Sequence, residues 1–128
     1  MSAGAAVSYD GPIVTVLIVD DHPSFRATAR ALLQAEGFVV VGEAEDGASA
    51  LRAAAELSPE LVLLDVQLPD IDGFEVARRL TLDSAGPAVV LVSSRDGSDF
   101  GPLVARSGAR GFIPKAELSR ARISALLG

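Results

Sequence analysis

Five short runs of nearly continuous apolar character recur along this chain, near positions 14–19, 39–41, 61–64, 88–92 and 111–113. Runs without polar alternation fit strands buried on both faces of a sheet. The segments between them follow a different rhythm. Phe25, Ala29, Leu32 and Leu33 recur at i, i+4, i+7 and i+8, which lays one apolar stripe along a helix opening at Pro23 and closed by Gly37. A second helix is expected over 48–57, ahead of Ser58 and Pro59, and a third carries Phe74, Ala77 and Leu80 on one face. The fourth must start near Asp99 or be short, because Gly101 and Pro102 fall inside its pattern and proline is tolerated only in a first turn. A fifth brings Ile123, Leu126 and Leu127 together. Such alternation predicts an α/β fold, a doubly wound parallel sheet with right-handed crossovers and helices on both faces.

Four of the strand-like runs end in a reactive polar residue: Asp20 and Asp21, Asp65, Ser93, and Lys115. In an open parallel sheet, ligands bind in the crevice outside the carboxyl ends of the strands, so these residues are expected to converge. Crowded carboxylates raise one another's pKa, and keeping three ionised near neutral pH calls for a cation among them. Mg²⁺, a hard ion that takes oxygen ligands and substrate phosphate, suits that role. Lys115 is the sole lysine beside ten arginines. Its ammonium is a compact point charge, able to pair with a carboxylate or a phosphoryl oxygen without imposing a planar fork.

Composition narrows the field further. A chain of 128 residues, 49% hydrophobic, suffices for one ordinary core and is too short for two domains. The formal charge of −6, spread along the chain, speaks against a nucleic-acid surface. Without cysteine, neither disulfides nor thiolate metal sites can form. The first dozen residues are small and polar, read as a flexible leader over 1–12 ahead of a folded unit over 13–128. They lack the basic and apolar regions of a signal peptide, and the run 13–19 is far below the roughly 20 residues a membrane helix needs. The expectation is therefore a cytoplasmic protein without membrane contact.

The stretches VLIVDDHPSFR, LVLLDVQLPDIDG, VVLVSSRD and GARGFIPKAEL, in this order, resemble the receiver domains of two-component response regulators, which a partner histidine kinase phosphorylates on aspartate. The resemblance covers nearly all of 15–127. It implies a flavodoxin-like strand order 2-1-3-4-5 and a phosphoryl-accepting switch. Asp65 would be the phosphoacceptor, and Asp21, Asp65 and the Gln67 carbonyl would ligate Mg²⁺, with Asp20 acting through bound water. Ser93 and Lys115 would each contact a phosphoryl oxygen, while small Ser94 leaves the approach open. Gln67 and Arg95 would tune hydrolysis, and Ser93 with Phe112 would form the switch pair that reshapes the face of the fourth helix, fifth strand and fifth helix.

Each assignment has a plainer competitor. One of Asp20 and Asp21 could cap the first helix, Phe112 could be an ordinary core residue, His22 reads as a loop residue beside the site, and Gly73 as a turn residue. Receivers of this family often follow the lysine with a cis proline. Here Pro114 precedes Lys115 and Ala116 follows, and a cis bond to a non-proline residue costs about 2.5–4 kcal/mol, which leaves the local geometry open. DDHPSFR and GFIPKAEL resemble the NarL/LuxR-type receivers usually joined to a helix-turn-helix domain, and none is present in this sequence. A stand-alone receiver and a piece of a longer regulator are both open. Expected partners are a sensor histidine kinase, an output protein or separate effector domain, and a second copy through the face named above. Two other classes compete. A receiver-like scaffold that works without phosphorylation should have lost part of the acidic cluster, and a phosphohydrolase needs a substrate pocket that no insertion here could build. A nucleotide-dependent activity lacks its GxxxxGK[ST] loop.

Overall fold

A computed structural model describes residues 14–94 and 100–128. The chain alternates β1 (Thr15–Val19), α1 (Pro23–Ala35), β2 (Val39–Ala44), α2 (Gly47–Leu57), β3 (Leu61–Asp65), α3 (Gly73–Leu80), β4 (Ala88–Ser93), α4 (Gly101–Ser107), β5 (Gly111–Pro114) and α5 (Arg120–Leu127), with a short 3₁₀ turn over Lys115–Glu117. All paired strands are parallel, in the order β2-β1-β3-β4-β5. That is the predicted doubly wound sheet.

Strand alternation divides the core in two. Val16, Ile18, Leu61, Leu63, Val90, Val92 and Ile113 face one layer, covered by α1 through Ala29 and Leu33 and by α5 through Ile123. Leu17, Val19, Val62, Leu64, Val89 and Leu91 face the other, covered by Ala50 of α2 and by Val76 and Ala77 of α3, with Val104 of α4 packed alongside. Because both faces are covered, the central strands, after Thr15 at the start of β1, have no polar position until they reach the carboxyl edge. There β1 runs out at Asp20, β3 at Asp65 and β4 at Ser93, all buried.

The helix boundaries follow local rules. Pro23 occupies the first turn of α1, where its missing N–H costs nothing. Gly37 adopts φ of 98°, and just before it the Glu36 N–H donates to the Leu32 and Leu33 carbonyls, closing the helix. Asp46 caps α2 in a reciprocal box with Ser49. The fourth helix is the short one, seven residues with Pro102 in its first turn, while Asp99 lies outside the described residues. The proposed leader over 1–12 lies outside them too. Pro114 sits on the edge strand β5, where a missing donor is tolerated. No peptide bond among the described residues is cis, so Lys115–Ala116 is trans within the 3₁₀ turn. Among those residues, no helix is long and apolar enough to cross a membrane.

Candidate functional site

The carboxyl edge of the sheet gathers residues from three strand ends into one charged cluster. Asp20, immediately after β1, is fully buried, and Asp65, the last residue of β3, is 3% exposed. Lys115, just beyond β5, lies between them, its Nζ 2.5 Å from Asp20 Oδ2 and 3.1 Å from Asp65 Oδ2. Asp21 stands beside them, its side chain 37% exposed toward solvent. Backbone groups fix the carboxylates: the His22 N–H donates to Asp20 Oδ1 at 2.8 Å, and the Gln67 N–H to Asp65 Oδ1 at 3.0 Å.

Burial alone would push the Asp20 carboxyl up, but Lys115 and the His22 N–H together hold it below the usual carboxylate range. Asp65 is pushed the other way. Burial dominates and the neighbouring Asp20 adds to it, outweighing the Gln67 N–H and Lys115. Burial works against the Lys115 ammonium as well, yet the two aspartates hold it charged and above its ordinary value. The site therefore keeps one carboxylate firmly ionised and a second one poised.

Asp20 Oδ2 is buried and, although ion-paired with Lys115, has no hydrogen-bond donor aligned with it. Asp20, Asp21, Asp65 and His22 each offer a ligand atom within 4.8 Å of the others. A buried anionic oxygen held by the Lys115 ammonium alone, in a set dominated by carboxylates, fits a hard divalent cation.

The remaining predicted residues are distributed around this cluster. Ser93, at the end of β4, is buried, and Ser94 is exposed. Phe112 pairs in register with Leu91, two residues before Ser93, and belongs to the same core layer as Leu91. By strand alternation, Ser93 and Phe112 therefore share one face on adjacent strands. The Phe112 ring meets Phe100 edge-on at 5.5 Å, and Phe100 meets Phe74 likewise at 5.5 Å. The Gln67 side chain belongs to an exposed residue, and Arg95 lies outside the described residues.

Two plainer readings are corrected by the structure. Neither Asp20 nor Asp21 caps α1, because His22 takes the N-cap position without a side-chain hydrogen bond. Gly73 is not a turn glycine, since it is absent from the positive-φ glycines. It is the first residue of α3, and a Cβ there would collide with the Asp65 carbonyl oxygen and lie 2.6 Å from Val66 Cα. The glycine lets α3 sit directly against the strand end that carries Asp65.

Three supports were not legible as such. Phe25 presents its ring 4.3 Å from Lys115 Nζ, a cation–π platform beneath the ammonium. Arg26 donates from one guanidinium nitrogen to the Asp20 carbonyl at 2.6 Å and from another to Glu43 at 3.0 Å. Asp70 accepts from the Gly47, Ala48 and Ile71 N–H groups, tying the loop after β3 to the start of α2. The Gly47 and Ala48 N–H groups, the larger causes, hold the Asp70 carboxyl below its ordinary value.

Comparison with known proteins agrees with this geometry. The family model for the response regulator receiver domain matches residues 16–127. The chain belongs to the response regulator receiver family. It is 38% identical over 104 residues to the response regulator GacA of Pseudomonas aeruginosa, covering 80% of this chain and 49% of that protein. The receiver thus spans about half the length of the curated relatives it matches. The signal receiver domain of NarL from Mycobacterium tuberculosis superposes with a TM-score of 0.79 at 34% identity, covering 92% of this chain and 99% of that one. The CheX–CheY–BeF₃–Mg²⁺ complex from Borrelia burgdorferi contributes a match with a TM-score of 0.77 at 25% identity, over 89% of this chain and 86% of that one. As a receiver, the chain is a signalling switch module, and its aspartate cluster fits the phosphoacceptor site of that family.

Proposed function

We propose that Asp65 accepts a phosphoryl group from a partner's phosphohistidine or from a small acyl phosphate. The observation that carries this reading is the Asp20–Lys115–Asp65 cluster at the ends of β1, β5 and β3, with Ser93 ending the strand between β3 and β5. An Asp65 carboxylate oxygen attacks phosphorus in line. A new P–O bond forms, and the bond to the donor nitrogen or acyl oxygen breaks with its electron pair leaving on the donor. Lys115 exchanges its contact with Asp65 for one with a phosphoryl oxygen, and Ser93 donates its hydroxyl to another. Asp20, Asp21, Asp65 and the Gln67 carbonyl would hold Mg²⁺, which supplies neutralisation of phosphoryl charge when bound. The CheY neighbour, solved with BeF₃ and Mg²⁺, supports that choice of ion.

Catalysis by the chain itself is limited to accepting the phosphoryl group and hydrolysing it again, a step that Gln67 and Arg95 tune. Burial of Ser93 beside half-buried Phe112 on one sheet face supports the switch pair: drawing Ser93 toward the phosphoryl group opens space that Phe112 fills. The change is read by protein partners on the α4, β5 and α5 face, after delivery by a histidine kinase in the cytoplasm.

The test is intact-protein mass after incubation with acetyl phosphate and Mg²⁺. A single phosphoryl adduct is expected, absent in Asp65→Asn and absent without Mg²⁺. An adduct that survives Asp65→Asn overturns the assignment. No adduct together with no binding of beryllofluoride would favour a scaffold that works without phosphorylation.

A further inference from the structure

We propose that Arg26 and Glu43 are positioning residues for the cation site. A bulge in β2 turns Glu43 toward α1, where it holds the Arg26 guanidinium on the Asp20 carbonyl and so fixes the peptide leading into Asp21. The assignment rests on the reading of Asp20, Asp21 and Asp65 as Mg²⁺ ligands given above. It is carried by a break in the β1–β2 ladder. Val16 pairs with Val40 but Leu17 pairs with Gly42, which leaves Val41 as one extra residue on β2.

The extra residue reverses the facing of the strand beyond it. Val40 packs in the layer under α1, yet a Cβ on Gly42, two residues on, would meet Leu57 of α2 and Leu17 of the opposite layer. Glu43 therefore pairs with Ile18 on the α1 side, and Ala44 with Val19 on the other. In unbroken register Glu43 would have stood beside Val19 and faced α2.

The re-aimed carboxylate meets two arginines one turn apart on α1. Its Oε1 accepts from Arg26 Nε at 3.0 Å and its Oε2 from Arg30 Nε at 2.7 Å. The Arg30 hydrogen bond is the largest cause that holds the Glu43 carboxyl below its ordinary value, with Arg26 adding to it against burial. Pairs of this kind on a surface contribute little by themselves. Arg26 differs from Arg30 because its side chain is only 16% exposed and a second guanidinium nitrogen donates to the Asp20 carbonyl at 2.6 Å. The planar fork makes both contacts from one rigid group.

That carbonyl belongs to the peptide joining Asp20 to Asp21. The Asp20 N–H donates to the Ala44 carbonyl at 3.0 Å, so β2 holds the turn twice, directly through Ala44 and indirectly through Glu43 and Arg26. Among the described residues, no backbone N–H holds the Asp21 carboxylate, unlike those of Asp20 and Asp65. Its place beside the other two is set by the course of the backbone, which the Arg26 contact fixes.

The sign of the effect separates positioning from charge. Arg26→Gln removes a positive charge from beside a cation site, which by charge alone would tighten Mg²⁺. Loss of the brace should loosen it instead, by about 10-fold, as for other groups that orient metal ligands. Calorimetric titration of the full-length protein with MgCl₂ reads this. Arg30→Gln, the same charge change without the Asp20 contact, should leave affinity within about 2-fold. The double variant Arg26→Gln with Glu43→Gln should lose no more than Arg26→Gln alone, because the two act as one unit. In chelator, NMR should show faster exchange of the His22 amide, which donates to Asp20, while the amide of Leu63 in the centre of the sheet stays protected. If Leu63 loses protection in Arg26→Gln, Glu43→Gln takes its place and is set against Glu45→Gln, an equal charge change outside the brace; the first should loosen Mg²⁺ more. Unchanged or tighter binding in Arg26→Gln, an equal loss in Arg30→Gln, or equal effects at Glu43 and Glu45 overturns the brace and leaves the phosphoacceptor reading intact. If the wild type binds no Mg²⁺, or binds it as well after Asp65→Asn, both fall together.

Discussion

Replacing Asp65 by asparagine should abolish phosphorylation and, in the absence of divalent ions, make the protein more stable. The Asp65 side chain is 5% exposed, with ligand atoms of Asp20 and Asp65 within 4.8 Å of each other. At an effective dielectric of about 20, that repulsion is roughly 3.5 kcal/mol, and withdrawal from water adds several kcal/mol more. Lys115, 3.1 Å away, returns roughly 5 kcal/mol on the same scale. The balance leaves ionised Asp65 a net cost, consistent with the upward direction of its pKa. Asparagine keeps the oxygen that accepts the Gln67 N–H, and Lys115 keeps Asp20 at 2.5 Å, so no buried group loses its only partner. A gain of about 1–2 kcal/mol follows, equivalent to a rise in Tm of about 4–8 °C for a domain of this size.

The pH profile carries the sign. A carboxyl whose folded pKa is raised favours the folded state when protonated, and that contribution is lost as pH rises through the folded pKa. The gap between variant and wild type should therefore be widest above the folded pKa and shrink as pH falls from there to the unfolded value of 3.8, below which it is closed. Adding Mg²⁺ should stabilise the wild type by about 2.7 kcal/mol at one hundred times its Kd and the variant by less, so the gap narrows or reverses. Thermal unfolding in chelator and in Mg²⁺, from neutral to acid pH, checks all three. A variant less stable than wild type in chelator at pH 7, or a gap independent of pH, would refute the reasoning.

Lys115→Met should act in the opposite sense. It strands Asp20 and Asp65 without their cation and should cost about 3–5 kcal/mol in chelator, recovered in part by Mg²⁺, as read by urea unfolding. Gly73→Ala must push α3 away from Asp65 and Val66, with an expected loss of about 1–3 kcal/mol and slower adduct formation by mass. Asp46→Ala removes the acceptor of the α2 capping box and should lower stability by about 0.5–2 kcal/mol while leaving phosphorylation untouched. Phe25→Leu keeps an apolar residue in the α1 stripe but removes the ring under Lys115, so about 0.5–2 kcal/mol of cation–π attraction should be lost.

The parts of this molecule that could be read in advance are those where one local rule decides the outcome. Nearly continuous apolar runs mark strands covered on both faces, and the order of strands and helices then leaves few ways to wind the sheet. Pro23 and Gly37 bracket α1 because proline fits only a first turn and glycine readily takes positive φ. Asp20, Asp65, Ser93 and Lys115 could be grouped because the carboxyl edge of a parallel sheet brings strand ends together whatever their spacing in sequence.

The supports of the site escaped because each residue answers to two rules at once. Phe25 occupies the first position of the helical apolar stripe, so periodicity assigns it to the core; its ring also forms the platform for Lys115, ninety positions later. Asp70 sits in a loop rich in turn residues, yet its carboxylate serves N–H groups of α2, which precede it by more than twenty positions. Gly73 shows the limit most clearly. A glycine required for left-handed backbone and one required for close approach look the same in a sequence, and only the packing of α3 on the Asp65 strand end separates them. Residues that bind substrate groups could be found by chemical type, whereas residues that aim them depend on which distant segments touch. A variant such as Gly73→Ala therefore perturbs the phosphoacceptor without altering a reactive atom.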